Sequence, residues 1–124
     1  MDCPKCVHEM EAVVHENIEV DRCVLCRGLW FDLLEHETLK GLAGSECIDS
    51  GDPRVGKLFN VDDRIRCPRC ASTMVRMVDA VQPHIWYESC STCHGVFFDA
   101  GEFKDYKRET VADFFRALRA RERR

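Results

Sequence analysis

Eight of the nine cysteines stand in four pairs of one spacing: Cys3/Cys6, Cys23/Cys26, Cys67/Cys70 and Cys90/Cys93. Thiols three apart can grip one ion from a single tight turn. The pairs are themselves coupled, with 16 residues between Cys6 and Cys23 and 19 between Cys70 and Cys90. Both gaps fall within the roughly 15–20 residues that separate the halves of a four-cysteine zinc site. The chemistry to expect is metal coordination, with two Zn2+ per chain held by Cys3, Cys6, Cys23 and Cys26 and by Cys67, Cys70, Cys90 and Cys93. Four thiolates close a tetrahedron and leave no position for water or substrate, so the expected role is structural. Iron in a rubredoxin-like site and disulfides are the competing readings, since four cysteines do not by themselves exclude iron.

Thiols serve as ligands where the surroundings are reducing. Met1-Asp2-Cys3 opens directly on a thiol, the residues that follow are acidic, and no signal-peptide pattern is visible. Nothing approaches the ~18 consecutive apolar residues of a membrane span. The expectation is a cytoplasmic chain without membrane contact, and an odd thiol count fits it. The net charge of −4 is unevenly divided: residues 1–62 carry 6 Lys/Arg against 13 Asp/Glu, and residues 63–124 carry 12 against 9. Eight thiolates on two dications would bring the total to about −8. So acidic a chain is a poor general binder of phosphate backbones, and any nucleic-acid contact must rest on a local patch.

The remaining reactive side chains read more plainly. Cys90-Ser91-Thr92-Cys93-His94 matches a haem-attachment motif, but Arg27 stands where the first copy would need its histidine. With four thiols per site, His8 and His94 are expected to be solvent-facing neighbours of the ligands. His15, His36 and His84 fall in turns or on a helix face without a matching cluster. Glu35 and Glu102 read as helix caps. Cys47 has nothing near it in sequence to lower its thiol pKa. No catalytic constellation is present, so neither an enzyme nor a small-molecule substrate is expected.

What must position the thiols is a duplicated unit. Met10, Val14 and Ile18 align with Met74, Val78 and Ile85, and Gly28, Phe31, Asp32 and Glu35 align with Gly95, Phe98, Asp99 and Glu102. Short strands are predicted at Ala12–Val14 and Ile18–Val20, and again at Met74–Val78 and Ile85–Glu88, each pair closing a hairpin between two cysteine pairs. Gly28 and Gly95 are read as supplying the unusual backbone angles of the turn. Asp32-x-x-Glu35 and Asp99-x-x-Glu102 are capping boxes that start helices, with Phe98 and Phe103 as a hydrophobic staple in the second copy. The first helix is expected to run to Lys40 and stop at Gly41. The fold class is small α+β: tandem zinc ribbons, each a four-cysteine site on a short hairpin followed by a helix. A first ribbon spans 1–42, a Gly-rich linker 43–63, a second ribbon 64–101, and a long amphipathic helix 102–124. Phe103, Tyr106, Val111, Phe114, Phe115 and Leu118 stripe that helix, a face that could also pair with a second copy of the chain. Arg116, Arg119, Arg121, Arg123 and Arg124 form its basic end, the candidate partner-binding residues.

The pattern Cys-Pro-x-Cys, Met, Cys-x-x-Cys-x-Gly-x-(Trp/Phe)-Phe-Asp-x-x-Glu, met from Cys3 to Glu35 and from Cys67 to Glu102, resembles the small bacterial proteins grouped as TFIIB-type zinc-binding, or transcription factor zinc-finger, domains. The resemblance implies zinc binding, and implies nucleic-acid binding in a transcription setting as a candidate role. Leu33-Leu34 departs from the pattern, where the second copy has Ala100-Gly101. The expected function is a non-enzymatic binding module for a protein or nucleic-acid partner. The alternative is a thiol-redox or chaperone-like protein that releases zinc on oxidation.

Overall fold

Each repeat strings its cysteine pairs on a hairpin. The computed structural model describes residues 1–59, 65–79 and 85–107. In the first repeat β1 (Met10–His15) and β2 (Ile18–Cys23) pair antiparallel, from Met10↔Cys23 to His15↔Ile18. Their turn, Glu16-Asn17, has φ of 51° and 67°, and this doubly positive turn matches the twist of the strands. β3 (Leu29–Phe31) adds to β2. The helix α1 (Glu35–Lys40) follows and stops at Gly41, as the sequence predicts. Within the linker come a 3-10 turn (Ser45–Ile48) and α2 (Pro53–Phe59), where the glycines and turn residues suggest only loop. The second repeat supplies β4 (Val75–Val78), β5 (Trp86–Ser89) and β6 (Val96–Phe98), and residues 102–107 form α3. The rest of the long C-terminal helix expected from the sequence, with Arg116, Arg119, Arg121, Arg123 and Arg124, lies outside the described residues.

The hairpins fall where the sequence places them, but β3 and β6 have no counterpart in that reading. At three residues each they are too short to show an alternating pattern. They nevertheless join the repeats, pairing Leu29↔Phe98, Trp30↔Phe97 and Phe31↔Val96. One six-stranded antiparallel sheet results, in the order β1-β2-β3-β6-β5-β4. Trp30 and Phe97 are equivalent positions of the repeat, so a local twofold axis passes through that pair. The two copies thus meet as the subunits of an isologous dimer would, within one chain.

Side-chain alternation along these strands splits the core in two. Trp30 and Phe97 lie on the thiol side with Met10, Met74 and Ile65; Leu29, Phe31, Val96 and Phe98 lie on the helical side with Val20, Leu39, Ile48, Ile85, Phe103 and Tyr106. The crossing also explains Gly28 and Gly95. A Cβ on Gly28 would stand 2.2 Å from the Phe97 ring, and one on Gly95 2.2 Å from the Trp30 indole. These glycines make room for the other repeat's ring. The unusual backbone angle expected at these glycines falls one residue earlier, at Arg27 (φ 63°) and His94 (φ 62°).

The capping boxes are only partly built. Glu35 Oε1 accepts from the Asp32 amide at 2.7 Å, while the Asp32 carboxylate is taken by Trp30 Nε1 at 3.0 Å and by Arg69. Asp99 does not cap α3 either, because it pairs with Lys5. The amides of Gly101 and Lys104 instead donate to buried Asp49 of the linker, at 2.9 and 3.0 Å. Lys107 Nζ reinforces this tie, donating to the Leu42 carbonyl at 2.5 Å and pairing with Glu46 at 2.6 Å.

Two reciprocal cation sites cross the local axis. Lys5 Nζ meets Glu88 at 2.7 Å and Asp99 at 2.6 Å; its counterpart Arg69 meets Asp32 at 2.6 Å and Asp21 at 3.6 Å. Their settings differ. The Lys5 side chain is 0% exposed, sealed where Phe59 at the end of α2 offers its carbonyl at 3.1 Å, whereas the Arg69 side chain is 45% exposed. Removing one member of a buried pair strands a charge, at a cost of about 3–5 kcal/mol. An exposed pair contributes about 0–1 kcal/mol. Lys5→Met should therefore lower the urea midpoint far more than Arg69→Met; equal shifts would show that burial of Lys5 carries no energetic weight.

The Phe98–Phe103 staple forms, edge to face at 6.1 Å. His36 occupies the equivalent of Phe103 in the first repeat, 6.3 Å from Phe31. Its place in the sequence predicts a helix face without a matching cluster. It is in fact buried among Phe31, Tyr87, Phe98 and Tyr106, its Nδ1 has no partner, and burial lowers its pKa. An unfolded histidine titrates near about 6.5, so below that pH the unfolded chain takes the proton first and stability is lost. His36→Phe should stabilise by about 1 kcal/mol at neutral pH. Its advantage in unfolding midpoint over the wild type should widen as pH falls from about 7 to 5. A constant advantage would mean that the ring does not titrate.

Candidate metal centres

Four short loops carry the eight paired thiols, and they share one construction. The N–H of the first cysteine donates to the carbonyl five residues on: Cys3 to His8 at 2.8 Å, Cys23 to Gly28 at 2.9 Å, Cys67 to Ser72 at 2.8 Å and Cys90 to Gly95 at 2.9 Å. Closing so tight a loop forces the residue after the second cysteine into the left-handed region. Val7 (69°), Arg27 (63°), Ala71 (59°) and His94 (62°) all adopt it. The loop amides then point at sulfur, with Leu25 N 3.4 Å from Cys23 Sγ, Cys70 N 3.3 Å from Cys67 Sγ and Cys93 N 3.5 Å from Cys90 Sγ. Donors aimed at sulfur stabilise thiolate.

The sheet brings the loops together in twos. The sulfurs of Cys3, Cys6, Cys23 and Cys26 all lie within 4.8 Å of one another, as do those of Cys67, Cys70, Cys90 and Cys93. Separations of 3.7 Å for Cys3–Cys26, 3.2 Å for Cys6–Cys23 and 3.7 Å for Cys67–Cys93 are too long for disulfides, which need about 2.05 Å. A zinc tetrahedron with Zn–S of about 2.3 Å has edges near 3.8 Å. Both sets therefore fit Zn2+, two per chain. Among the described residues no other cluster of Cys, His, Asp or Glu is placed to hold a metal. His8 and His94 are exposed and stay out of both sets, as expected, His8 Nδ1 standing 2.9 Å from the Cys6 carbonyl.

Crowding four sulfurs sets their proton affinities apart. The hydrogen bond from Cys26 brings Cys3 down to about 5, and the same bond raises Cys26. Burial lifts Cys6 to about 11. In the second site burial works against ionisation of Cys90, but backbone donation from Cys93 and the Ser72 hydroxyl leave it at about 6, while Cys70 is raised to about 12 by its bond with Cys93. Each set is thus ready to ionise at one thiol, and a dication displaces the other protons. Metal retention must weaken in acid accordingly.

The loop tips do not share the symmetry of the loops. Around the first set Val7 is 74% exposed, Leu25 56% and Val24 44%; Ala71, Ser91 and Thr92 hold the equivalent places around the second. The eight ligand positions are readable from the sequence. The apolar tips are readable too, but only once the repeats are superposed.

The family model described as transcription factor zinc-finger matches residues 2–41 and 66–109, one match to each repeat and together more than half of the chain. No curated protein and no solved structure matches the chain.

Because the repeats share one sheet, loss of one metal should be felt by both. A structural zinc is worth on the order of 10–16 kcal/mol of apparent binding energy, more than so small a unit can replace from its core. Cys23→Ser should lower the metal content from two ions and destabilise the second repeat with the first, giving a single unfolding transition in guanidinium. Full retention of the second repeat's transition would show the halves to be independent.

Proposed function

The chain belongs to the transcription factor zinc-finger family, and on that footing we propose that it is a non-enzymatic binding module whose two zinc ions are structural. Closed four-thiolate sites leave no coordination position for a substrate, which supports a scaffold role. The partner we propose is a protein, docked at the tips of the first metal site. The observation that carries this is the exposed apolar trio Val7, Val24 and Leu25, set on the two loops that grip one metal. Large apolar side chains held out on a rigid loop favour a protein surface over a phosphate backbone. The charge balance of −4, before any thiolate is counted, points the same way. No helix among the described residues is long and apolar enough to cross a membrane. A reducing cytoplasm is the setting that would keep the eight ligands available.

The basic residues Arg116, Arg119, Arg121, Arg123 and Arg124 belong to the competing nucleic-acid version of the reading. Capture from the native cytoplasm should return a protein that is lost with Leu25→Asp and kept when residues 116–124 are removed. Titration with single-stranded RNA and duplex DNA between about 50 and 200 mM salt should show no steep salt-dependent affinity. Tight binding with a strong salt slope, abolished by the truncation, would replace the protein partner with nucleic acid.

A further inference from the structure

The linker packs on the second repeat just before α3, at Ala100-Gly101. A Cβ on Gly51 would stand 2.6 Å from that of Ala100, and one on Gly56 would overlap the Ala100 carbonyl. Pro53, at the start of α2, lies against Gly101, whose φ is 87° and whose own Cβ would meet it at 2.9 Å. At the other end of α2 the Phe59 carbonyl accepts from Lys5. The local twofold axis turns Ala100, Gly101 and Lys5 into Leu33, Leu34 and Arg69. There Leu33 is 56% exposed, Leu34 53% and the Arg69 side chain 45%. Leu34 also keeps the left-handed backbone of Gly101, with φ 62°, although a Cβ makes that conformation costly. A strained, outward-facing pair of leucines is therefore the unfilled counterpart of the seat that the linker fills.

We propose that this seat is taken by residues 108–124 of the same chain, which lie outside the described residues and follow α3 as the linker follows α1. The reach is sufficient. Gly51 and Gly56 approach Ala100 11 and 16 residues after Lys40, the end of α1, and residues 118 and 123 stand equally far beyond Lys107. The contact is made by side chains, because 108–124 contains no glycine and the leucines are large. Phe114, Phe115 and Leu118 are the apolar groups at the matching distance along the chain. Charge favours the same match. Residues 108–124 carry 6 Arg against 3 Asp/Glu. Asp32 precedes the leucines, Glu35 and Glu37 follow them, and Asp21 is close enough to repel both Asp32 and Glu35. The basic end thus meets an acidic surface within its own chain, independently of any outside partner.

The test uses the zinc-loaded full chain with the photocrosslinker benzoylphenylalanine in place of Leu33, irradiated in dilute solution and read by peptide mass spectrometry. A crosslink within one chain to residues 108–124 is expected, reduced about tenfold by the double change Phe114→Ser and Phe115→Ser. The urea midpoint of Leu34→Gly gives a second reading. An uncovered leucine at φ 62° should leave the chain more stable as glycine, since strain is relieved and no contact is lost. A covered one should leave it less stable, and that loss should vanish in the background of the two serine changes. Absence of a crosslink, crosslinks only between chains or only outside 108–124, or a gain of stability in Leu34→Gly would overturn the assignment.

Discussion

Everything in this molecule depends on the pairing of β3 with β6. A unit of one hairpin and one four-cysteine site has a thin core, and its third strand alone would be an open edge. Laying Leu29–Phe31 against Val96–Phe98 covers both edges at once and turns two small sheets into one. The same contact seats each repeat's central ring, Trp30 or Phe97, on the glycine of the other. Backbone hydrogen bonds, edge protection and core packing are thereby met by a few residues per repeat. Metal and sheet are complementary supports: the ion fixes the loops from which the third strand departs, and the third strand holds the two ions in one body.

On that symmetric frame the sequence has diverged at a few places. Lys5 and Arg69 occupy the same position, yet Lys5 is met by the Phe59 carbonyl at the end of the linker's α2, while the Arg69 side chain stays half-exposed. One site is therefore a sealed cation between two carboxylates and the other a solvated ion pair. His36 and Phe103 are likewise equivalent, and the histidine brings an unpartnered nitrogen into a cluster of aromatic rings. The loop tips differ in polarity, Val7, Val24 and Leu25 against Ala71, Ser91 and Thr92. Duplication alone would leave the halves alike. These departures are where the two repeats differ in burial, charge and polarity.

The sequence discloses the ligands because cysteine spacing is set by loop geometry that varies little. It discloses the hairpins because β-branched and aromatic residues flank turn residues, and α1 because Gly41 stops it. It conceals β3 and β6, whose three residues are too few for a period and sit inside a motif already explained by metal and helix. The linker is concealed for another reason. Asp49 caps a helix that begins at 102, and Ile48 enters a core built mainly by other segments, so both act across some 50 residues of chain. Asp99 reads as a local cap because its spacing to Glu102 is right. A buried lysine from the far end of the chain is the stronger partner.

The internal twofold has a consequence for assembly. A surface that fits its own copy inside one chain fits it equally well on a neighbouring chain, with identical hydrogen bonds and ring-on-glycine contacts. Exchange of halves between two molecules would thus change no contact energy at the seam and would differ only in the entropy of tethering. The linker makes the difference. By folding its own short helices and meeting α3 through Asp49, which accepts from the Gly101 and Lys104 amides, it adds a second contact between the segment after the first repeat and the second repeat. Because tethering is the one term that separates the two arrangements at the seam, protein concentration is the quantity that would shift the balance between them.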